Sequence, residues 1–210
     1  MPGTIAYREP AQPATYSEKI KRSEFIANVS VCHSDEEARE FIAQISSQYR
    51  DATHNCRAFI LADGTEYSSD DGEPSGTAGK PILNAIKHCG LVNTVVVVTR
   101  YFGGVKLGVR GLIDAYGETA QKALEIAGSV ERIMTRRVSV SMGYAAMGTV
   151  TRLLDVAGAS GLEWDFGGGE SVRVICDVPE SESERVSGEL EELTVRGLIS
   201  GWEYHAKSNN

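Results

Sequence analysis

The chain has 210 residues, of which 41% are hydrophobic and 24% charged, and its formal net charge is −8. This composition predicts one large or two small folded domains and excludes wholesale disorder. No apolar run approaches the roughly 18–20 residues that a membrane-spanning helix needs, and residues 1–16 contain no apolar segment typical of a signal peptide. We therefore expect a cytoplasmic protein with no membrane partner, in which the four separated cysteines are free thiols.

Hydrophobic periodicity predicts the elements of the N-terminal part. Residues 1–18 contain prolines and no periodic apolar face, so they are expected to form a flexible tail. Residues 19–130 are predicted to form the first domain. Its expected elements are strands at 20–31, 56–61 and 91–99, and helices at 35–49, 77–89 and 110–127.

A second domain is predicted at residues 136–206, after a segment at 128–135 without a periodic apolar face. Glycines 167–169 indicate a turn between two of its strands. The elements follow the order β-α-β-β-α-β, which is typical of a ferredoxin-like domain. They are strands at 137–143, 160–165, 171–178 and 198–204, and helices at 147–157 and 181–193.

Charge is unevenly distributed along the chain. Residues 74–113 contain no Asp or Glu, although the whole protein is acidic. Two glycine-rich loops lie in or beside this window, one before the helix at 77–89 and one after the strand at 91–99. Because glycine permits close backbone approach and a helix N-terminus favours anions, the pattern predicts an anion or nucleic-acid site. Its candidate residues are Gly76, Thr77, Lys80, Arg100, Tyr101, Gly103, Gly104, Lys106 and Arg110.

Two other interpretations of these loops remain open. The glycines form turns and the cations are simply solvated, or the preceding acids carry chemistry. Gly79-Lys80 is followed by Pro81 rather than Ser or Thr, so the segment is not a nucleotide-binding P-loop. The alternative acidic site consists of His54, Asp70, Asp71 and Glu73. The spacing of these acids does not match a calcium loop and the Cys/His spacing does not match a zinc site, so we expect no metal and no cofactor.

Several sequence motifs resemble the signature of the YigZ/IMPACT family. They are HNC at 54–56, SDDGEPSGTAGKP at 69–81, VVTRYFGG at 97–104, LG at 107–108 and AY at 115–116. The resemblance is strong over residues 18–124. Arg110 departs from it, because the family's usual loop has a glycine at that position, and it adds a positive charge beside the second loop.

The resemblance implies an α+β protein of two domains, the first similar to the fourth domain of elongation factor G and the second ferredoxin-like. It also implies a role in translation or RNA binding. Eukaryotic members bind a large ribosome-associated activator through an extra N-terminal domain. We do not expect that partner here, because about 18 residues precede the first predicted strand.

Three hypotheses of function follow from the sequence. The first is a non-catalytic, translation-associated protein that binds RNA or the ribosome through the basic glycine-rich loops. The second is an enzyme that acts on a small phosphorylated or peptidic substrate through the acidic site. The third is a protein-interaction module, indicated by the net charge of −5 over residues 136–210, where 12 acidic residues exceed seven basic ones. The sequence does not determine the oligomeric state.

Overall fold

The structure is a computed structural model that describes residues 6–167, 169 and 171–205. The chain divides into two compact units. Residues 7–132 form the first, and residue 6 together with the described residues from 133 onward belongs to the second. This two-domain α+β architecture confirms the predicted fold class.

The first unit is built on a five-stranded antiparallel sheet, and two further strands pair with each other. The strands are β1 (Ala6–Pro10), β2 (Ala14–Ile20), β3 (Ser23–Val31), β4 (His54–Ile60), β5 (Glu66–Ser69), β6 (Thr94–Tyr101) and β7 (Ser129–Ile133). The helices are α1 (Asp35–Gln48), α2 (Gly79–His88) and α3 (Gly108–Ala127). The sheet order is β2-β3-β6-β4-β5, and β1 pairs separately with β7.

The valine run of β6 explains why this strand is central. Val96 and Val98 belong to the larger core, which contains residues of α2 and α3, whereas Val95 belongs to a smaller core with residues of α1. Successive side chains of a strand point to opposite faces of the sheet. The alternation therefore places α2 and α3 against one face of β6 and α1 against the other.

The N-terminal residues differ from the sequence expectation. The predicted tail contains β1 and most of β2, and the predicted strand at 20–31 corresponds to β3, preceded by the last residue of β2 and a tight turn at Lys21 and Arg22. The segment at 128–135 contains β7, for which no element was expected. Strands β1 and β7 are short and largely polar, so backbone pairing forms them without a hydrophobic pattern that the sequence could reveal.

The second unit has the predicted β-α-β-β-α-β order. It contains β8 (Thr135–Gly143), α4 (Met147–Val156), β9 (Ser160–Asp165), β10 (Ser171–Pro179), α5 (Ser183–Val195) and β11 (Ile199–Tyr204). Its sheet order is β11-β8-β10-β9, and its core includes Val140, Leu154 and Leu190. Gly168 of the predicted glycine turn lies outside the described residues. Across the described part of the chain, no helix is long and apolar enough to cross a membrane.

Candidate functional site

The loop between β5 and α2 is organised by the carboxylate of Asp70. Oδ2 accepts a hydrogen bond from the amide of Gly76 at 2.8 Å, and Oδ1 accepts from the amides of Ala78 at 3.0 Å and Gly79 at 2.8 Å. Burial alone would raise the pKa of Asp70, but these three amides and the charge of Lys80 outweigh it and lower that pKa. Asp70 is therefore the anion that caps α2.

This arrangement corrects the prediction of an external anion at the start of α2. The amide of Gly76 already donates to Asp70, and the amide and hydroxyl of Thr77 both donate to the carbonyl oxygen of Pro74, at 3.0 and 2.6 Å. The sequence window without acids begins after Asp70, and the chain folds this carboxylate back onto the helix. Neither Gly76 nor Thr77 has a free donor for a phosphate.

Close packing explains the glycine that begins α2. A Cβ atom on Gly79 would lie 2.7 Å from the backbone of Ser69, a distance that real Cβ atoms do not adopt. The start of α2 therefore lies directly against the end of β5. This contact brings the amide of Gly79 within reach of Asp70, the residue that follows Ser69.

A buried ion pair joins the first glycine-rich loop to the end of β6, where the second loop begins. Nη1 of Arg100 lies 2.5 Å from Oε1 of Glu73, and the side chains are 6% and 4% exposed. The hydroxyl of Tyr116 donates to the same carboxylate oxygen at 2.9 Å, and Nη2 of Arg100 donates to Oγ of Ser23 at 3.3 Å. Burial is the largest of the causes that raise the pKa of Tyr116. The prediction that Arg100 meets a phosphate is wrong, because its charge is buried and neutralised.

Two aromatic rings flank the guanidinium of Arg100. Its Cζ atom lies 5.5 Å from the ring centroid of Phe25 and 5.3 Å from that of Phe102. Nε of Arg100 has no hydrogen-bond partner among the described residues. Arg100 therefore lies close both to the buried ring of Phe25 and to Phe102, which begins the second glycine-rich loop.

The remaining members of the alternative acidic site are bonded within the chain. Asp71 accepts hydrogen bonds from the amide of Asn55 and from Nη1 of Arg57, both at 2.8 Å. Nδ1 of His54 lies 2.8 Å from the carbonyl oxygen of Asp71, so this nitrogen carries the proton, and Nε2 lies 3.9 Å from Oε1 of Glu73. In the described residues, no group of three or more His, Cys, Asp or Glu side chains is arranged to hold a metal ion.

The internal bonds of these acids weaken the enzyme hypothesis. Asp70, Asp71 and Glu73 each accept at least two hydrogen bonds from the protein. Burial, as the largest cause, raises the pKa of the neighbouring Cys56 thiol to about 12, so this thiol is not an activated nucleophile.

The second loop places its two aromatic residues in different surroundings. The hydroxyl of Tyr101 donates to Oδ1 of Asp51 at 2.9 Å, and this bond is the largest cause of a raised pKa for Tyr101. Glu24 lies opposite Tyr101 on the neighbouring strand. Two carboxylates beside Tyr101 repel phosphate, so its predicted stacking role is not supported. Phe102, in contrast, is 46% exposed.

A strained turn packs against this loop. Lys21 and Arg22 form the two-residue connection between β2 and β3, and both have positive φ, +46° and +70°. The amide of Gly103 donates to Oγ of Ser23 at 3.3 Å, and a Cβ atom on Gly103 would lie 1.9 Å from the carbonyl oxygen of Arg22. The turn and the loop therefore form one continuous surface, which includes Gly104 at φ +81°.

Five exposed cations lie in or next to the two loops and this turn. Lys80 and Lys106 form no ion pair within the described residues, whereas Nε of Arg110 lies 3.1 Å from Oδ1 of Asp114 on the same helix. Lys21 and Arg22 are exposed and were not among the predicted site residues. The sequence signal for them was weak, because a hairpin turn of this kind usually contains Asn or Gly.

Known proteins resemble the chain along most of its length. Residues 21–124 match the family model described as the Impact N-terminal domain. The IMPACT family member YvyE of Bacillus subtilis (strain 168) is 40% identical over 177 residues, which cover 83% of this chain and 81% of that protein. An IMPACT family member of Haemophilus influenzae (strain ATCC 51907 / DSM 11121 / KW20 / Rd) is 33% identical over 197 residues, 92% of this chain and 95% of that protein.

A solved structure resembles the chain over nearly its whole length. A crystal structure of a hypothetical protein has a TM-score of 0.69 and 28% identity, and the match covers 97% of this chain and 98% of that one. This similarity extends over both units of the chain. The structure of the two-domain translational regulator Yih1 is 28% identical over 61% of this chain and 48% of that chain, with a TM-score of 0.34.

Proposed function

This chain belongs to the IMPACT family, and from that premise we propose that it takes part in translation by binding RNA or the ribosome, without catalysing a reaction. The contact surface is the cationic edge of the first unit. We define this edge as the exposed residues Lys21, Arg22, Lys80, Lys106 and Arg110. The family resemblance implies a first domain similar to the fourth domain of elongation factor G, which supports a role in translation, and the exposed cations support binding to phosphates.

The turn at Lys21 and Arg22 is the observation that carries this proposal. A left-handed conformation costs an L-residue about 1–2 kcal/mol, and here two consecutive non-glycine residues adopt it. Asn-Gly would form the same two-residue turn with little strain. Backbone strain of this kind is concentrated at functional sites. We infer that the turn retains Lys and Arg because their charges are used.

The charge at the binding surface affects nucleic-acid binding more than the net charge of the whole protein does. The protein as a whole carries −8, yet phosphate contacts act over short distances because salt screens exposed charges beyond about 8–10 Å. Each contact releases counterions from the nucleic acid. If all five cations contact phosphates of a single strand, the log–log dependence of affinity on salt has a slope of about −3 to −4.

A fluorescence titration with a structured ribosomal RNA fragment at several salt concentrations tests the proposal. The decisive variant is Lys21→Asn with Arg22→Gly, which removes two charges and relieves the strain of the turn. We expect this variant to be more stable than the wild type and to bind RNA more weakly, with a smaller salt slope. A loss of binding through misfolding would instead lower its stability.

The matched control removes two exposed arginines from the second unit. Arg152→Gln with Arg196→Gln changes the net charge by the same amount at positions far from the cationic edge in sequence. We expect RNA affinity and salt slope to stay at wild-type values in this control. Absence of binding at low salt, or equal effects of the two double variants, would overturn the proposal.

A further inference from the structure

We infer that Phe102 is a stacking platform for an unpaired base, so that the cationic edge binds a single-stranded RNA segment rather than a duplex. This inference rests on the proposed function and names its ligand more narrowly. Unpaired bases stack on exposed aromatic side chains, whereas a duplex hides its base faces. Phe102 is 46% exposed and begins the loop that contains Lys106.

The ring of Phe102 contacts a buried arginine of the protein. The guanidinium of Arg100 lies 5.3 Å from the ring centroid, and it is itself held by the buried carboxylate of Glu73. The ring centroid of Phe25 lies 5.5 Å from the same guanidinium. Phe25 is buried and Phe102 is half-exposed, so the series of contacts from Phe25 through Arg100 to Phe102 runs from the core to the surface. A base placed on the exposed side of Phe102 would continue it.

The backbone around Phe102 is fixed as well. Its amide donates to Oγ1 of Thr53 at 3.0 Å, and the amide of Gly103 donates to Oγ of Ser23 at 3.3 Å. Gly103 also lies so close to Arg22 that no side chain fits between them. A platform held in place before binding loses little conformational entropy when the base arrives. Rigidity therefore favours a binding role over accidental exposure of an apolar side chain.

The charged residues near Phe102 differ from those near Tyr101. The phenol of Tyr101 is bonded to Asp51, and Glu24 lies opposite it in the sheet. The contact between Gly103 and Arg22, in contrast, brings the cationic Lys21-Arg22 turn next to Phe102. A nucleotide needs a phosphate partner and a base partner together. Tyr101 has two acidic residues beside it, whereas the residue that follows Phe102 contacts the turn that contains two exposed cations.

The test compares two RNA probes of the same length. One is a fluorescein-labelled oligouridylate of about 12 nucleotides, a length within the site sizes of single-strand binders, and the other is a duplex. The variants are Phe102→Ala, Phe102→Leu, which keeps apolar volume without a ring face, and Phe102→Tyr, which keeps the ring. Denaturant midpoints of all three establish that they are folded.

We expect Phe102→Ala and Phe102→Leu to weaken binding of the single strand by roughly 5- to 150-fold, the range that corresponds to one stacked base. Phe102→Tyr keeps wild-type affinity, and the weaker binding of the duplex is unchanged in all three variants. The stacking inference is overturned if Phe102→Leu binds the single strand like wild type. It is also overturned if the variants lose affinity for both probes equally.

The outcomes also separate this inference from the proposed function. Wild-type affinity in Phe102→Leu, combined with weaker binding in Lys21→Asn with Arg22→Gly, overturns the stacking platform and leaves RNA binding in place. Failure of the wild-type protein to bind either probe or the ribosomal RNA fragment at low salt overturns both.

Discussion

Oε1 of Glu73 and Nη1 of Arg100 lie 2.5 Å apart, and neither side chain is more than 6% exposed. Both residues belong to motifs that carry the family resemblance, and Glu73 lies in the first glycine-rich loop whereas Arg100 lies near the end of β6, just before the second loop. The sequence suggested that the loops meet to form a positively charged pocket. They are joined instead by a neutral ion pair, and the positive charge that remains exposed lies on Lys21, Arg22, Lys80, Lys106 and Arg110.

We expect Glu73→Gln to destabilise the protein strongly. Removal of one partner of a buried ion pair leaves an uncompensated charge, which typically costs about 3–5 kcal/mol. The double variant Glu73→Gln with Arg100→Met removes both charges, so it should lose less than the sum of the two single variants. Urea denaturation of the four proteins measures the free energies of unfolding.

An exposed ion pair provides the control for this cycle. Nη1 of Arg185 lies 2.5 Å from Oε1 of Glu189, but their side chains are 39% and 48% exposed. Glu189→Gln should change the free energy of unfolding by less than about 1 kcal/mol, because water screens such pairs. An effect of Glu73→Gln as small as that of Glu189→Gln would contradict the structural role of the buried pair.

Asp70→Ala should destabilise the protein by about 2–3 kcal/mol, because three backbone amides lose a charged acceptor. Asp70→Asn keeps one acceptor oxygen without the charge, so its loss should be smaller. The control is Glu36→Gln, which changes an exposed acid in the first turn of α1. Equal stability of Asp70→Ala and Glu36→Gln in chemical denaturation would show that Asp70 does not cap α2.

The lowered pKa of Asp70 predicts a specific pH dependence. Its ordinary value is 3.8, and the folded protein holds it lower. The unfolded chain therefore takes up the proton first, so the stability that Asp70 contributes is complete above its ordinary pKa and is lost as the pH falls through the folded value. The difference in unfolding free energy between wild type and Asp70→Asn should be constant near neutral pH and shrink below about pH 4.

Hydrophobic periodicity predicted most of the fold because most elements bury an apolar face. The valines of β6 and the helical spacing in α1 are examples, and the ferredoxin-like order of the second unit is confirmed. Strands β1 and β7 were missed because they are short and pair through the backbone. Lys21 and Arg22 were read as part of a strand, since neither residue type signals a turn at positive φ.

The structure gives several of the predicted site residues partners within the chain that the sequence did not reveal. Glycine clusters and cations can be counted along the chain, whereas the partners of Asp70 and Arg100 depend on how distant segments pack. Arg100 bonds to Glu73, 27 positions earlier, and to Ser23, 77 positions earlier. A window without acids in sequence is therefore no measure of the charge around its residues in the folded protein.

The close contact between Gly103 and Arg22 supports a last prediction. Gly103→Ala would place a Cβ atom 1.9 Å from the carbonyl oxygen of Arg22, so the backbone of the Lys21-Arg22 turn must shift. Overpacking of this kind typically costs about 1–3 kcal/mol, and we expect a loss at the upper end because the obstacle is backbone. RNA affinity should fall as well, since the shift moves two cations away from Phe102.

Two glycine variants separate crowding from backbone conformation. Gly188→Ala in α5 has no neighbouring atom within 4 Å and should stabilise the protein by up to about 1 kcal/mol, because alanine favours a helix. Gly104→Ala also has open space but lies at φ +81°, so it should cost about 1 kcal/mol through conformation alone. If thermal or urea unfolding shows that Gly103→Ala is no less stable than Gly104→Ala, the turn is not packed against the loop. The shared surface on which the proposed RNA binding depends would then be absent.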